Sequence, residues 1–502
     1  MAKKKAAPEE IHGQLDMLEA LGQAKSVNYT EEQEEFINHD GQTSVILAAT
    51  AGSGKTFSCV QRLKTLVERG VDPNKIIFFS FTKAATDELR ERVETAGILV
   101  REKVSQGEGV TITTIHAFAN SLLARMGKFK NVATFYEFMN WFKQEHKPSS
   151  HATREVKEAY NELIANMYED ADQISSAIGA FKLQSADNIK APVPEFFNDY
   201  KTFLKLQKKR DFSDMLIEVR DLLRENVWLK KFRGQYDYIF IDEYQDTSTI
   251  QLQTLLSLNA KYYYMIGDRN QSIYGYSGAN CAKLEEMLKK RRDVKEMSLS
   301  VNFRSDESIV ENSNKYSSLT AVANSKESGY VDKKIMLRVD ELVELLKQPG
   351  EVVVLVRTNA IIRKLEKELL MKQVPMRYFN FITEDDIKAF KKDDISAHLR
   401  GKLNNFKSIF GNDAQTISFI ERHKASKKFV TTIHKSKGRE FDECIVINSI
   451  SPEVLQECGI YDKLGKKRLE RVSFTDKDEE SRNIHYVAVS RSKHKLHFMI
   501  YE

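Results

Sequence analysis

The run Ala49-Thr50-Ala51-Gly52-Ser53-Gly54-Lys55-Thr56 constrains the fold of this chain more than any other stretch. An apolar run, Ser44 to Ala48, precedes it and reads as a buried strand; Phe57, Val60, Leu63, Leu66 and Val67 follow at helix spacing. A strand that passes through a glycine-rich turn into a helix is one unit of an alternating α/β fold. Such a turn also carries chemistry. Gly52 and Gly54 let the backbone curl so that its N–H groups point at a phosphate, where the helix dipole favours negative charge. Lys55 adds a point charge, and the Thr56 hydroxyl suits Mg²⁺.

Far downstream, Ile241-Asp242-Glu243-Tyr244-Gln245-Asp246-Thr247 follows a second apolar strand, Tyr238-Ile239-Phe240. Two acids therefore stand at a strand's carboxyl end, where open α/β sheets keep their ligands. Asp242 is suited to hold the Mg²⁺ shell, and Glu243 to orient and deprotonate an attacking water. Each stretch has a plain alternative. The strict loop pattern has glycine where Ala49 stands, so the loop alone could be empty, and the two acids could simply be solvated. Loop and acid pair together favour a nucleoside triphosphate site.

With 502 residues the chain exceeds one ordinary core, so two to four domains are expected. Its 41% apolar and 30% charged residues describe a globular protein without a membrane span, because no apolar run approaches the ~20 residues needed. The net charge of +5 arises from 77 basic residues spread among 72 acidic ones, so any nucleic-acid site must be a local groove. Cys59, Cys281, Cys444 and Cys458 show no C-x-x-C spacing, which argues against disulfides, zinc and iron–sulfur clusters. The basic start, Met1 to Lys5, lacks the apolar core of a signal peptide and reads as part of a frayed tail.

Strand and helix patterns alternate from about Val27 to Phe118, with strands at Ser44–Ala48, Ile76–Phe81 and Val110–Thr113, and resume with Tyr238–Ile241 and Tyr262–Ile266. A second series starts near Leu299 and includes Glu351–Val356, a helix over Ala360–Lys372, Cys444–Asn448 and Leu496–Ile500. The expected architecture is α/β, with two parallel-sheet domains, each interrupted by an insertion. Residues 1–26 form the tail. Residues 27–118 and 207–298 form the first domain around a helical insertion, 119–206, with a late break at Pro192 and Pro194. Residues 299–382 and 429–502 form the second around a small lysine-rich, helical insertion, 383–428. A nucleotide would lie in the cleft between the two.

Further clusters, in this order, resemble the superfamily 1 DNA helicases of the UvrD, Rep and PcrA type. They are Asn28 to Gln33, Phe81 to Ala85, Thr113 to Phe118, Gly267 to Tyr276, Asn302 to Ser305, Thr432 to Phe441 and Tyr486 to Ser492. The resemblance covers most of Val27 to Glu502 and implies two RecA-like motor domains that use ATP and Mg²⁺. By the same resemblance, Ala51, Gly52, Ser53, Gly54, Lys55 and Thr56 cradle the phosphates, with Thr56 and Asp242 on the metal. Gln33 reads the adenine edge, although Thr30-x-x-Gln33 is equally a helix capping box. Gln271, Arg304 and Arg491 reach the γ-phosphate, where forked guanidinium donors are well suited. Gly438 and Glu440 belong to the nucleotide site, with Glu440 on the ribose. Phe81, Thr82, Thr114, His116, Thr432 and His434 hold the DNA strand, and Tyr274 and Tyr276 offer rings on which any base can stack. For His116 the plain alternative is a histidine satisfied beside a core strand, and for the two tyrosines it is core packing. Asp211-Phe212-Ser213-Asp214-Met215-Leu216 matches another signature of the family and is assigned a structural role.

The chain departs from the family's pattern at four places. Phe57 stands where relatives carry an arginine that stacks on adenine, so the base is expected between Phe57 and Phe303. Ser277 and Arg439 replace a common arginine and a common leucine. The insertion 383–428 is far smaller than its counterpart in familiar members, so a regulatory role for it does not transfer. The chain also ends soon after Arg491, which leaves no room for a nuclease domain. The expected function is an ATP-dependent DNA helicase that moves 3′ to 5′ on single-stranded DNA and separates duplex ahead of it. Its expected partners are single strands, single/double-strand junctions and replication or repair proteins. It is read as a monomer in the cytoplasm of a bacterial or phage-infected cell. A translocase that strips proteins from DNA, and a nucleotide-binding scaffold, are the alternatives.

Overall fold

The computed structural model describes residues 28–102, 107–128, 130–169, 171–186, 190, 192–225, 232, 234–274, 280–378, 381–393, 397–464, 468–469, 472–473 and 479–501. Among the described residues, the first sheet contains β1 (Ser44–Ala49), β2 (Ile76–Ser80), β3 (Val100–Arg101), β4 (Val110–Thr114), β5 (Tyr238–Asp242), β6 (Tyr262–Gly267) and β7 (Val294–Leu299). These strands run parallel in the order β3-β4-β2-β5-β6-β1-β7. A short parallel pair, β8 (Val301–Asn302) and β9 (Val322–Ala323), leads on. The second sheet contains β10 (Tyr330–Met336), β11 (Val352–Val356), β12 (Lys428–Thr432), β13 (Phe441–Ile447) and β14 (Ser492–Met499), parallel in the order β10-β14-β13-β11-β12.

The central strands of both sheets, such as β1, β2, β5 and β11, are buried on both faces, which is why they read as continuous apolar runs rather than as alternating ones. Side chains still alternate by face. Ile46, Ile77, Ile239 and Ile241 enter one core, while Val45, Leu47, Phe78, Phe240 and Tyr264 enter the other. The Phe240 ring stacks on Phe78 at 5.4 Å and on Tyr264 at 4.5 Å, so one aromatic ladder ties β2, β5 and β6. β7, which its charged sequence VKEMSL concealed, closes the sheet beside β1.

The strand order distributes chemistry along the sheet's carboxyl edge. β5, β6 and β1 are adjacent, so the acid pair, the Gly267-Asp268 turn and the glycine loop emerge side by side. β2 and β4 lie on the other side of β5 and end at Phe81-Thr82 and at Thr114-Ile115-His116. In the second sheet Phe441 pairs with Ser492, which brings together Glu440 and Arg491, the residues just before β13 and β14.

Between β4 and β5 the described residues are helical, including Phe135–Glu145, Arg154–Glu169, Ala171–Ala186 and Phe197–Leu206 around a core of Phe138, Met139, Tyr200 and Phe203. The described residues from Glu384 to Arg422 also form helices. Their Leu399, Leu403, Phe406, Ile417 and Ile420 enter the same core as Val352, Val354 and Val356 of β11. Several lysines here are paired with nearby acids: Lys391 with Glu421 at 2.6 Å, Lys402 with Asp386 at 3.1 Å and, just beyond the stretch, Lys424 with Glu384 at 2.9 Å. None of the helices among the described residues is long and apolar enough to cross a membrane.

Candidate nucleotide site and nucleic-acid face

Gly52 and Gly54 take left-handed backbone at φ +74° and +75°, and the helix Lys55–Glu68 starts with no side-chain cap. Its first N–H groups are thus left for a ligand. Lys55 Nζ lies 3.3 Å from Glu243 Oε1. Burial alone would lower the lysine's pKa, but Glu243, Asp268 and Asp242 around it raise the value. For the acids, burial and the neighbouring Glu243 push Asp242 up, to about 7. Burial acts the same way on Glu243, but Lys55 and Lys437 outweigh it and hold that carboxyl low, at about 2. The two adjacent acids are thus shifted in opposite directions. Glu243 has φ +52°, a left-handed conformation that costs a non-glycine residue on the order of 1 kcal/mol. Its N–H is held by Asp242 Oδ1 at 3.0 Å, and the Gln245 amide donates to its carboxylate. Glu243 is therefore held from both ends, at its backbone and at its carboxylate.

The residues before β13 and β14, and the segment after β8, close over the loop. Asn302 Nδ2 donates to Ala51 O at 2.9 Å, and Phe303 N–H donates to Gly52 O at 2.9 Å. A Cβ on Gly52 would stand 2.7 Å from Arg304 Cβ, so glycine is required there for close approach as well as for φ. Arg491 is buried; it donates to Gln271 Oε1 at 3.2 Å and to the carbonyls of Val487 and Arg439. Burial and Arg304 lower its pKa to about 10, and it remains charged at neutral pH. Arg304 Nε lies 2.6 Å from Glu440 Oε2, so the acid read as a ribose contact is paired with the arginine. Gly438 has φ +78° in the exposed turn before β13.

Of the two readings of Gln33, the structure shows the capping box. Gln33 forms it with Thr30, its Oε1 accepting the Thr30 N–H at 3.1 Å, and its Nε2 would lie 3.3 Å from a Cβ placed on Gly54. The Phe57 ring meets Tyr29 at 6.0 Å, and Phe303 is 42% exposed near Gly54.

Beside this cleft lies an aromatic and hydroxyl-bearing face. Phe81, 43% exposed, stacks on Tyr274 at 5.6 Å and 25°. Tyr274 also meets the His434 ring at 6.0 Å and carries the Lys437 ammonium 5.2 Å above its own ring. Thr82, Thr114 and Thr432 each cap the helix they precede, accepting the N–H three residues on. These loops thus present helix N-termini, which suit phosphate oxygens. His116 is held neutral, its pKa lowered by burial to about 4, and its ring meets Phe212 edge-on at 5.1 Å. Tyr276 lies outside the described residues.

The fold brings several further residues into this region. Tyr486, Asp268, Asp246 and Lys437 were quoted only as parts of motifs; their spacing carries no signal, because they meet across the two sheets. Asp211 does cap its helix and pairs with Lys182 at 2.7 Å, as a structural residue would. Its neighbour Phe212 is 52% exposed against His116 and so joins the aromatic face.

The profile of the UvrD/REP helicase N-terminal domain matches residues 29–293, and that of the UvrD-like helicase C-terminal domain matches residues 387–502. The chain belongs to the UvrD/REP helicase family. It is similar to a probable DNA helicase of Mycoplasma pneumoniae, with 30% identity over 322 residues, 60% of this chain and 57% of the relative. It is also similar to the ATP-dependent DNA helicase PcrA of Leuconostoc citreum, with 26% identity over 496 residues, 84% of this chain and 64% of the relative. To the PcrA of Staphylococcus epidermidis it is 24% identical over 473 residues, 86% of this chain and 62% of the relative. The chain thus spans less than two thirds of the length of each of these relatives.

Proposed function

We propose that this chain is an ATP-dependent DNA helicase that moves 3′ to 5′ along single-stranded DNA and separates duplex ahead of it. One observation supports this above others: Arg491 and Gln271, from the two sheets, are hydrogen-bonded to each other in the cleft that also holds Lys55 and Glu243. Closure of two bodies over one γ-phosphate is what a stepping motor needs. In this reading residues 27–118 and 207–298 are one motor domain and 299–382 and 429–502 the other, with 119–206 and 383–428 as their insertions.

The phosphates of ATP lie on the N–H groups of Gly52 to Thr56 and on Lys55, and the base lies by Gln33 between Phe57 and Phe303. Arg304 leaves Glu440 for the γ-phosphate, which frees that carboxylate for the ribose. Glu243 takes the proton of the attacking water, while Arg304, Arg491 and Gln271 stabilise charge on the transferred group. Thr56 and Asp242 offer the hard oxygen donors that suit Mg²⁺, which when bound neutralises charge on the phosphate oxygens. Phe81, Tyr274, Tyr276, His434, Thr82, Thr114, His116 and Thr432 hold single-stranded DNA. The protein works as a cytoplasmic monomer at single/double-strand junctions, alongside replication or repair proteins. The shortness of 383–428 favours, as a second reading, a translocase that displaces bound proteins with little unwinding.

The test is strand separation with ATP and Mg²⁺ on duplexes bearing either a 3′ or a 5′ single-stranded tail. Unwinding of the 3′-tailed duplex alone is expected. Unwinding of the 5′-tailed duplex alone would reverse the polarity. ATP turnover stimulated by single strands without unwinding would favour the second reading, and no stimulated turnover would leave a nucleotide-binding scaffold.

A further inference from the structure

We infer that Tyr486 is a positioning residue: its hydroxyl ties the phosphate loop to Asp268 and, through Asp268, sets both Gln271 and Glu243. The inference rests on the ATP-driven reading above. Tyr486 belongs to the helix Glu479–Val489, which leads into β14, and its side chain is buried. The hydroxyl oxygen accepts the Ala51 N–H at 3.4 Å, and the hydroxyl donates to Asp268 Oδ2 at 3.1 Å. Asp268 then holds two branches, one on its carboxylate and one on its backbone N–H. Gln271 Nε2 donates to the same Oδ2 at 2.9 Å, and Gln271 Oε1 accepts from Arg491 at 3.2 Å. In the other direction, Asp268 N–H donates to Gln245 Oε1 at 3.2 Å, and the Gln245 amide donates to the Glu243 carboxylate.

A single phenol from the second-sheet side therefore touches the loop that carries the phosphates and the acid from which both γ-phosphate branches hang. Gly267 makes room for this arrangement: a Cβ there would stand 2.1 Å from Gln245 Oε1. Burial and the adjacent carboxylate raise the phenol's pKa, so it stays a donor across the working pH range. A tyrosine needed only for packing would be replaced by phenylalanine without loss. Here the hydroxyl is the part in use: it accepts from the loop and donates to a carboxyl group at the same time.

Tyr486→Phe separates the two roles. Its melting temperature should stay close to that of the parent protein, while kcat for ATP turnover with saturating single-stranded DNA falls roughly tenfold and KM for ATP moves less than about twofold. Combining it with Asp268→Asn should cost less than the sum of the two single losses, because both disturb the bond at one carboxylate oxygen. Amide hydrogen exchange in the peptide spanning 49–56 should quicken in Tyr486→Phe, with no change in 352–356. Unchanged kcat, additive losses or unchanged exchange in the loop would each overturn the inference. Should the parent protein show no DNA-stimulated turnover, the motor reading fails. The exchange readout then still reports on the tie between Tyr486 and Ala51, and unchanged exchange would overturn that too.

Discussion

Lys437 sets its ammonium 2.5 Å from the carboxylate of Asp246, a pair almost wholly shielded from solvent, and 2.6 Å from the Gln271 carbonyl oxygen. A lysine from the segment before β13 is thus gripped by an acid that follows β5. Burial pushes the Asp246 carboxyl up, to about 7, even with Lys437 beside it. Lys437→Met would strand that acid without its cation. A loss of about 3 kcal/mol in denaturant unfolding at pH 8 is expected, shrinking as the pH falls and Asp246 takes up a proton. The double variant Lys437→Met, Asp246→Asn should recover part of the loss. Equal losses at pH 5 and pH 8 would show that the pair does not carry the effect.

Glu243→Gln keeps the shape of the acid and removes the base. It should bind ATP and single-stranded DNA and yet turn over at least about a hundredfold more slowly, within the range for general-base catalysis. Lys55→Ala should weaken nucleotide binding itself. Near-normal turnover by the Glu243 variant at saturating DNA would sink the general-base assignment.

The stack of Phe81 on Tyr274 offers a second measurement. Phe81 is exposed, so Phe81→Ala should leave the melting temperature nearly unchanged and weaken single-strand affinity by about 1–3 kcal/mol, with little dependence on base sequence. The slope of affinity against salt should not change, since no charge is removed. A changed slope, or a loss explained by a smaller folded fraction, would return the ring to a packing role. Tyr274 is a less clean target, because Lys437 rests on it and its ring packs beside the second core.

His497 sets a pH dependence in the second sheet. Its ring lies between Asp332 of β10 at 3.1 Å and Glu443 of β13 at 3.0 Å, with Lys495 3.7 Å from Glu443 and the Tyr330 ring 5.7 Å away. Burial opposes protonation, but the two carboxylates prevail and raise the histidine's pKa. For a group whose folded value lies above its unfolded one, the stabilisation is complete below the unfolded value and disappears as pH rises through the folded one. His497→Gln should therefore lower the melting temperature more at pH 6 than at pH 9. An equal deficit at both would mean that the imidazolium pairs contribute nothing net.

Local chemistry was legible where it is local. The glycine loop, the acid pair and the strand-end hydroxyls sit where β1, β5, β2, β4 and β12 deliver them, because a phosphate turn and a strand-end acid are fixed by a few consecutive residues. β7 was not legible: its Lys295 and Glu296 are tolerated at a sheet edge, and the apolar-run signal fails there. The ties made by Tyr486 and Lys437 were hidden for another reason. Each joins residues roughly two hundred positions or more apart, and no periodicity records which side chain will cross a cleft. Glu440, read as a ribose contact, is also paired with Arg304, a tie the sequence does not announce, since two opposite charges left facing each other in a half-buried site will pair.

Leu399, Leu403 and Phe406 from the helices between Glu384 and Arg422 share one apolar interior with β11. A segment whose leucines also form the wall behind a sheet has no pivot of its own. It cannot swing out as a separate arm, and cutting it away would open the sheet's interior to water. Length added here would have to be inserted at a surface turn such as Gly411, leaving the leucines in place, and the segment would move only as one piece with the sheet it covers.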